Sequence, residues 1–170
     1  MDEQIYKFLT AIKAFPDLQF IVTKSNADQG GARINELLDS AEPEIDNLHV
    51  FTSLGVRRYL SLMKYSEFVL GNSSSGIIET PAFKVPTVNI GDRQKGRLQV
   101  ESIINCGKSS EDIIKAIRKA MTEEHRDICN KVVSAYGDGH AAERIAKKSI
   151  NMVLSENINL KKKFYDLGDN

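Results

Sequence analysis

Phe68-Val69-Leu70-Gly71-Asn72-Ser73-Ser74-Ser75-Gly76-Ile77-Ile78-Glu79 is the stretch on which the reading of the fold turns. Three apolar residues stop at glycine and small polar residues, and apolar residues resume at Ile77 and Ile78. That order reads as a buried parallel strand meeting the N-terminus of a helix. Free backbone N–H groups and the positive end of the helix dipole collect at such a point, so it suits an anion. Ser73, Ser74 and Ser75 add hydroxyl donors, and Gly71 and Gly76 let the backbone approach a ligand closely. Glu79 follows one turn later. Its carboxylate repels phosphate but accepts hydrogen bonds from sugar hydroxyls. A serine-capped turn with no ligand uses the same residue types, so the stretch alone leaves both readings open.

Outward from it, helix-spaced and strand-like segments alternate. Ile5, Phe8, Leu9 and Ile12 mark one helix face, ended by Phe15-Pro16-Asp17. Leu18–Val22 reads as a strand, Ile34, Leu37, Leu38 and Ala41 as a helix closed by Pro43, and Leu48–Phe51 as a second strand. Val56, Tyr59, Leu60 and Met63 mark a third helix before the strand Phe68–Leu70. A short fourth helix carries Ile77, Ile78 and Phe83, then Thr87–Ile90 forms a strand that ends at Gly91-Asp92-Arg93. A fifth strand lies near Ser102–Ile104, and Ser109 with Asp112 opens a capped helix bearing Ile113, Ile114, Ile117 and Met121. Gly137-Asp138-Gly139 breaks the chain before a last helix on Ala142, Ile145, Ala146, Ile150 and Val153. The alternation predicts an α/β fold, a parallel Rossmann-like sheet with helices on both faces. One domain is expected over residues 1–154, with a polar tail over 155–170. Ligands of such sheets bind beyond the carboxyl ends of the strands. Four polar turns lie there: Lys24–Asp28, Thr52–Gly55, Asn72–Ser75 and Gly91–Arg93.

Composition narrows the classes. The chain has 170 residues, 41% hydrophobic and 27% charged, with 23 basic and 23 acidic side chains. A net charge of zero argues against nucleic acid and against an anionic membrane, since both favour a basic surface. Lys161-Lys162-Lys163 is too short to change that. Cys106 and Cys129 have no metal-site or redox-motif spacing, and two free thiols suit a reducing cytoplasm. No apolar run approaches the roughly 18 residues of a membrane span. A soluble cytoplasmic domain is the expectation.

The stretch from Phe68 to Arg97, FVLGNSSSGIIETPAFKVPTVNIGDRQKGR, resembles the hydrolysing UDP-N-acetylglucosamine 2-epimerases of bacterial sialic-acid and related nonulosonate (polysaccharide) biosynthesis. The similarity continues at lower density through Asn26-Ala27-Asp28, Tyr136–Gly139 with Ala142 and Arg144-Ile145, and the tail Lys163–Leu167. Members of that family have two Rossmann-like domains of the glycosyltransferase-B type, with a UDP-sugar in the cleft between them. The resemblance covers only the C-terminal, nucleotide-binding half, and implies that an N-terminal catalytic domain is missing from these residues. It implies no metal and no nicotinamide cofactor, and a homo-oligomer when full length.

Carried over by position, the resemblance assigns Ser73 and Ser74 to the β-phosphate of UDP, with Ser75 contributing through its backbone. Glu79 falls to the ribose hydroxyls, Arg93 to the nucleotide-sugar as a stabiliser of the leaving group, and Asn26 and the backbone around Leu54 to the region near the nucleoside. Lys95 and Arg97 are weaker candidates for the diphosphate. The implied reaction eliminates UDP to a 2-acetamidoglucal, then adds water to give the C2-inverted sugar. Its acid/base groups are expected from the missing half. None of the histidines here replaces them: His49 reads as a packed strand residue, His125 as exposed on a charged helix, and His140 as a cap. Two other readings stay open, a UDP-sugar glycosyltransferase domain and a non-catalytic nucleotide-binding module.

Overall fold

The computed structural model describes residues 2–26 and 30–155. The chain divides into two units, Met1–Ala135 and Tyr136–Asn170. In the first, helices and strands alternate as α1 (Asp2–Lys13), β1 (Phe20–Thr23), α2 (Gly31–Ala41), β2 (Leu48–Phe51), α3 (Gly55–Tyr65), β3 (Val69–Gly71), α4 (Ser75–Ile78), β4 (Thr87–Ile90), β5 (Ile103–Cys106), α5 (Ser110–Ala120) and α6 (Glu123–Lys131). Every strand pairing is parallel, with Phe20 opposite Leu48, Val69 opposite Thr87, and Thr87 opposite Ile103.

Among the described residues the single expected sheet is two: β1 with β2, and β3-β4-β5. Side chains rather than a backbone ladder join them. Phe20 and Phe68 meet edge to face at 6.2 Å between ring centres, and Phe68 and Leu70 pack against the core of the first sheet. On one face, Leu9, Ile12, Phe20, Leu38 and Leu48 form a cluster between α1, α2 and the β1–β2 pair. Ala11, Val88, Ile104, Ile113, Ile117 and Ala120 form another between α1, α5 and the β4–β5 pair. Helix α1 serves both, which ties the two sheets through one element. On the opposite face, Met63 of α3, Ile77 of α4 and Thr80 are buried. Helices therefore cover both faces, although Ile21 and Phe51 stay about two-fifths exposed on the β1–β2 sheet.

Local departures from the sequence pattern have local causes. The fourth helix is one turn long. Pro81 lacks an N–H and ends it, and residues Thr80–Phe83 continue as a 3-10 turn closed by Lys84 in the left-handed region, φ 61°. Val56 sits on the apolar stripe of α3 yet is exposed, because that helix buries only its Met63 end. The charged stretch after Met121 is a separate helix, α6, capped by Thr122, whose hydroxyl accepts from the His125 N–H. That cap turns His125 inward: the residue expected to be exposed is buried, its Nε2 3.3 Å from the Ser102 carbonyl. His49 is only half-buried, with Nε2 2.7 Å from Gln19 Oε1.

The second unit is described as far as residue 155. It holds α7 (Ala141–Leu154), opened by exposed His140 at its N-cap. Asp138 accepts from the His140 backbone N–H and from Arg144, which together hold its carboxyl below the usual range. Ile145, Ile150, Met152, Val153 and Leu154 of α7 are exposed. The expected tail elements, Lys161–Lys163 and Lys163–Leu167, lie outside the described residues. Among those described, no helix is long and apolar enough to cross a membrane.

Two measurements follow from this packing. Ile117 is fully buried in the α5 cluster, so Ile117→Ala is expected to cost about 2–5 kcal/mol. Urea unfolding would show it as a lower midpoint with an unchanged slope. Burial, and secondly the Asp112 charge, push the Cys106 thiol up to about 11, and burial also raises Cys129. Alkylation by iodoacetamide near pH 8 is therefore expected to be at least about tenfold slower in the native protein than in urea. A thiol that reacts at the unfolded rate would contradict the burial seen here.

Candidate functional site

β3 and β4 are parallel neighbours, so the turns at their carboxyl ends lie at the same end of the sheet, and a hydrogen bond joins two sequence-marked loops there. The first is the serine turn after Gly71; the second runs from Gly91 to Val100. Gln94 joins them: its side chain, 3% exposed, donates from Nε2 to the Asn72 carbonyl at 2.7 Å. Its Oε1 has no partner among the described residues. The second loop is tied down in turn by a row of amides. Gln99 Nε2 donates to the Gln94 carbonyl at 3.4 Å, Asn105 Nδ2 to Gln99 Oε1 at 2.7 Å, and Asn89 Nδ2 to Asn105 Oδ1 at 2.7 Å. Gly91 takes a φ of +76°, where a side chain would be strained, and a Cβ there would also push aside Lys108, whose Cε would lie 2.6 Å away. Lys108 pairs with Asp92 at 3.3 Å and holds that carboxyl below its ordinary range.

The serine turn uses its three hydroxyls differently. Ser73 is exposed, and its Oγ accepts from the Ser75 N–H at 3.3 Å. Ser74 is the N-cap of α4. Its carbonyl accepts from the Ile77 and Ile78 N–H groups, while its hydroxyl makes no capping bond. Ser75 donates from Oγ to Glu79 and accepts from the Tyr59 hydroxyl at 2.9 Å. Gly76 was expected to admit a ligand. It admits Thr87 instead, whose Cγ2 would lie 2.9 Å from a Cβ there and whose Oγ1 donates to the Gly76 carbonyl at 2.8 Å. With α4 only one turn long, little helix dipole stands behind the turn, and the donors it offers are hydroxyl and backbone N–H groups.

Of the residues singled out by sequence, Ser73, Ser74, Ser75 and Glu79 fall on one turn. Gln94 brings the loop of Arg93 against that turn. The Arg93, Lys95 and Arg97 side chains are exposed. Lys95 and Arg97 border a concavity of about 380 Å³ with Asn89, Gly91, Asp92, Gln99 and Asn105. Leu54 is the N-cap of α3, the helix that carries Tyr59. Asn26 is exposed just beyond β1, at the end of the other sheet. Ala27 and Asp28 of the same turn lie outside the described residues. The sequence does not single out Tyr59, Gln99 or Asn105 as site residues. Tyr59 sits at a core-like helix spacing, and an amide row formed by folding has no sequence spacing to betray it.

The chain is similar to known proteins along nearly all of its length. The UDP-N-acetylglucosamine 2-epimerase family model matches residues 1–149. A GDP/UDP-N,N′-diacetylbacillosamine 2-epimerase (hydrolyzing) of Campylobacter jejuni is 37% identical over 166 residues, 97% of this chain and 42% of that protein. The polysialic acid biosynthesis protein P7 of Escherichia coli is 33% identical over 168 residues, 98% of this chain and 42% of its own length. The crystal structure of the Methanocaldococcus jannaschii UDP-GlcNAc 2-epimerase in complex with UDP-GlcNAc and UDP superposes with a TM-score of 0.70 at 19% identity, over 89% of this chain and 41% of that one. The shared fold is Rossmann-like, that of part of a glycosyltransferase-B-type protein. The chain spans about two-fifths of the length of these relatives, and it belongs to the UDP-N-acetylglucosamine 2-epimerase family.

Proposed function

We propose that this chain is the UDP-binding half of a hydrolysing 2-epimerase acting on UDP-N-acetylglucosamine or UDP-N,N′-diacetylbacillosamine, and that it works in the cytoplasm. The observation that carries the reading is the Gln94 tie, which sets a turn of three serines beside the loop of Arg93 and leaves Glu79 at the turn's far end. Ser73, Ser74, nearby backbone N–H groups and Arg93 suit the diphosphate. Glu79 suits the ribose, with Asn26 and Leu54 on the nucleoside side. Residues 1–154 form this half, and an N-terminal domain covers the sugar.

In the proposed reaction a base removes the C2 proton, the C1–O bond breaks, and its electrons leave with UDP, giving the 2-acetamidoglucal. Water then adds hydroxyl to C1 and a proton to the opposite face of C2. Negative charge grows on the departing β-phosphate in the first step. Donors fixed in advance around it lower the barrier, because they need no reorganisation as the charge develops. Ser73, Ser74 and Arg93 take that role. The C2 proton falls to groups of the other half, as His125 lies on the buried side of α6 and His49 Nε2 is engaged by Gln19.

Calorimetric titration with UDP tests the reading. Binding is expected, weakened about tenfold or more in Glu79→Ala and in Ser73→Ala, as the loss of a charged or phosphate-directed hydrogen bond would do. Titration without heat, or variants that bind like wild type, would overturn the assignment of the seat. The chain alone is expected to release no UDP from UDP-N-acetylglucosamine above background. Adding the N-terminal half in trans is expected to restore release, and turnover by this chain alone would show that the acid/base groups lie here.

A further inference from the structure

Tyr59, Ser75 and Glu79 form a three-membered hydroxyl–carboxylate chain that joins two helices. Tyr59 is half-buried in the middle of α3, whereas Ser75 opens the one-turn α4 and Glu79 closes it. The direction of the chain is forced. A carboxylate only accepts, so the Ser75 proton points to Glu79, and a serine hydroxyl has just one proton to give. The 2.9 Å contact between Tyr59 Oη and Ser75 Oγ therefore has tyrosine as its donor.

We infer that Tyr59 is a positioning residue for ribose recognition, acting on Glu79 through Ser75; this rests on the assignment of UDP to the serine turn. Glu79 is exposed, and a free glutamate there would spread over several rotamers. Ser75, one turn before it, captures one carboxylate oxygen and leaves the other to accept from a hydroxyl of the ligand. Ser75 alone is a weak guide, because its hydroxyl can rotate to other acceptors. Tyr59 restricts that freedom by donating to one of the oxygen's two lone pairs from an 11-residue helix outside the turn. Each bond also polarises the next, which strengthens the grip on the carboxylate. The same α3 has Leu54 as its N-cap, so the element that aims Glu79 also adjoins the residue placed at the nucleoside edge.

The test is calorimetry of the chain with UDP and with 2′-deoxy-UDP. The proteins are wild type, Tyr59→Phe, Ser75→Ala, the combined variant and Glu79→Ala. Phenylalanine keeps the ring and its packing, so only the hydroxyl is lost. Wild type is expected to prefer UDP, and Glu79→Ala to bind the two nucleotides alike. Tyr59→Phe is expected to lower the preference about three- to tenfold, the worth of one hydrogen bond in a charged chain, with 2′-deoxy-UDP binding unchanged. Because tyrosine acts through serine, the combined variant is expected to match Ser75→Ala alone. A preference kept in Tyr59→Phe but abolished in Glu79→Ala would overturn the relay and leave the ribose reading standing. Equal weakening of both nucleotides in Tyr59→Phe would also overturn it, since a general defect in α3 does that. Wild type that binds neither nucleotide, or shows no preference, would overturn the ribose reading and the relay with it.

Discussion

The site depends on how closely α4 lies against β4. Gly76 has no side chain, so the Thr87 methyl occupies the space, and the Thr87 hydroxyl donates to the Gly76 carbonyl. Thr80 and Pro81 are buried just beyond, and Ile77 is sealed underneath. A helix of four residues has almost no stability of its own, because nucleation fixes several residues for one hydrogen bond. Its geometry is therefore borrowed from the strand beside it. The turn of Ser73, Ser74, Ser75 and Glu79 rests on this contact together with the hydrogen bonds from Gln94 and Tyr59.

The parts of the fold legible in the sequence were those where burial repeats with a period. The stripes of α1, α2 and α5 and the apolar strands stand where Ile5–Ile12, Ile34–Ala41 and Ile113–Met121 placed them, within the few residues by which helix ends differ. Ser109 caps α5 as its spacing with Asp112 implied, the Asp112 N–H donating to the Ser109 hydroxyl. Where one proline or one cap decides the outcome, periodicity misleads. Pro81 shortens α4, and Thr122 starts α6 and buries His125 among residues that read as a solvated face. Charge counts describe a segment, whereas a cap sets which way each of its residues points.

The candidate site was legible for a different reason. Its serines, Glu79 and Arg93 lie in short runs where chemistry and chain position coincide, so no tertiary knowledge is needed to group them. The residues that hold them in place are scattered. Gln94 reaches across to Asn72, Asn105 and Asn89 meet from adjacent strands, and Tyr59 arrives from a helix 16 positions earlier than its partner Ser75. Each such contact is one residue deep and carries no motif. Ligand-facing groups cluster along a chain, while their supports are gathered by folding.

The support beneath the second loop has a property that its members share. Asn72, Gln94, Gln99, Asn105 and Asn89 contribute amides and carbonyls, all of them uncharged. Dissolved ions screen attraction between full charges over about 10 Å at 0.1 M, yet have little hold on short bonds between neutral dipoles. Rising ionic strength thus screens exposed Arg93 and the Asp92–Lys108 pair while the amide row keeps its bonds. Acidity across the range that titrates carboxylates leaves these bonds intact as well. The architecture separates the exposed charges of the loop from the neutral bonds that keep it in register.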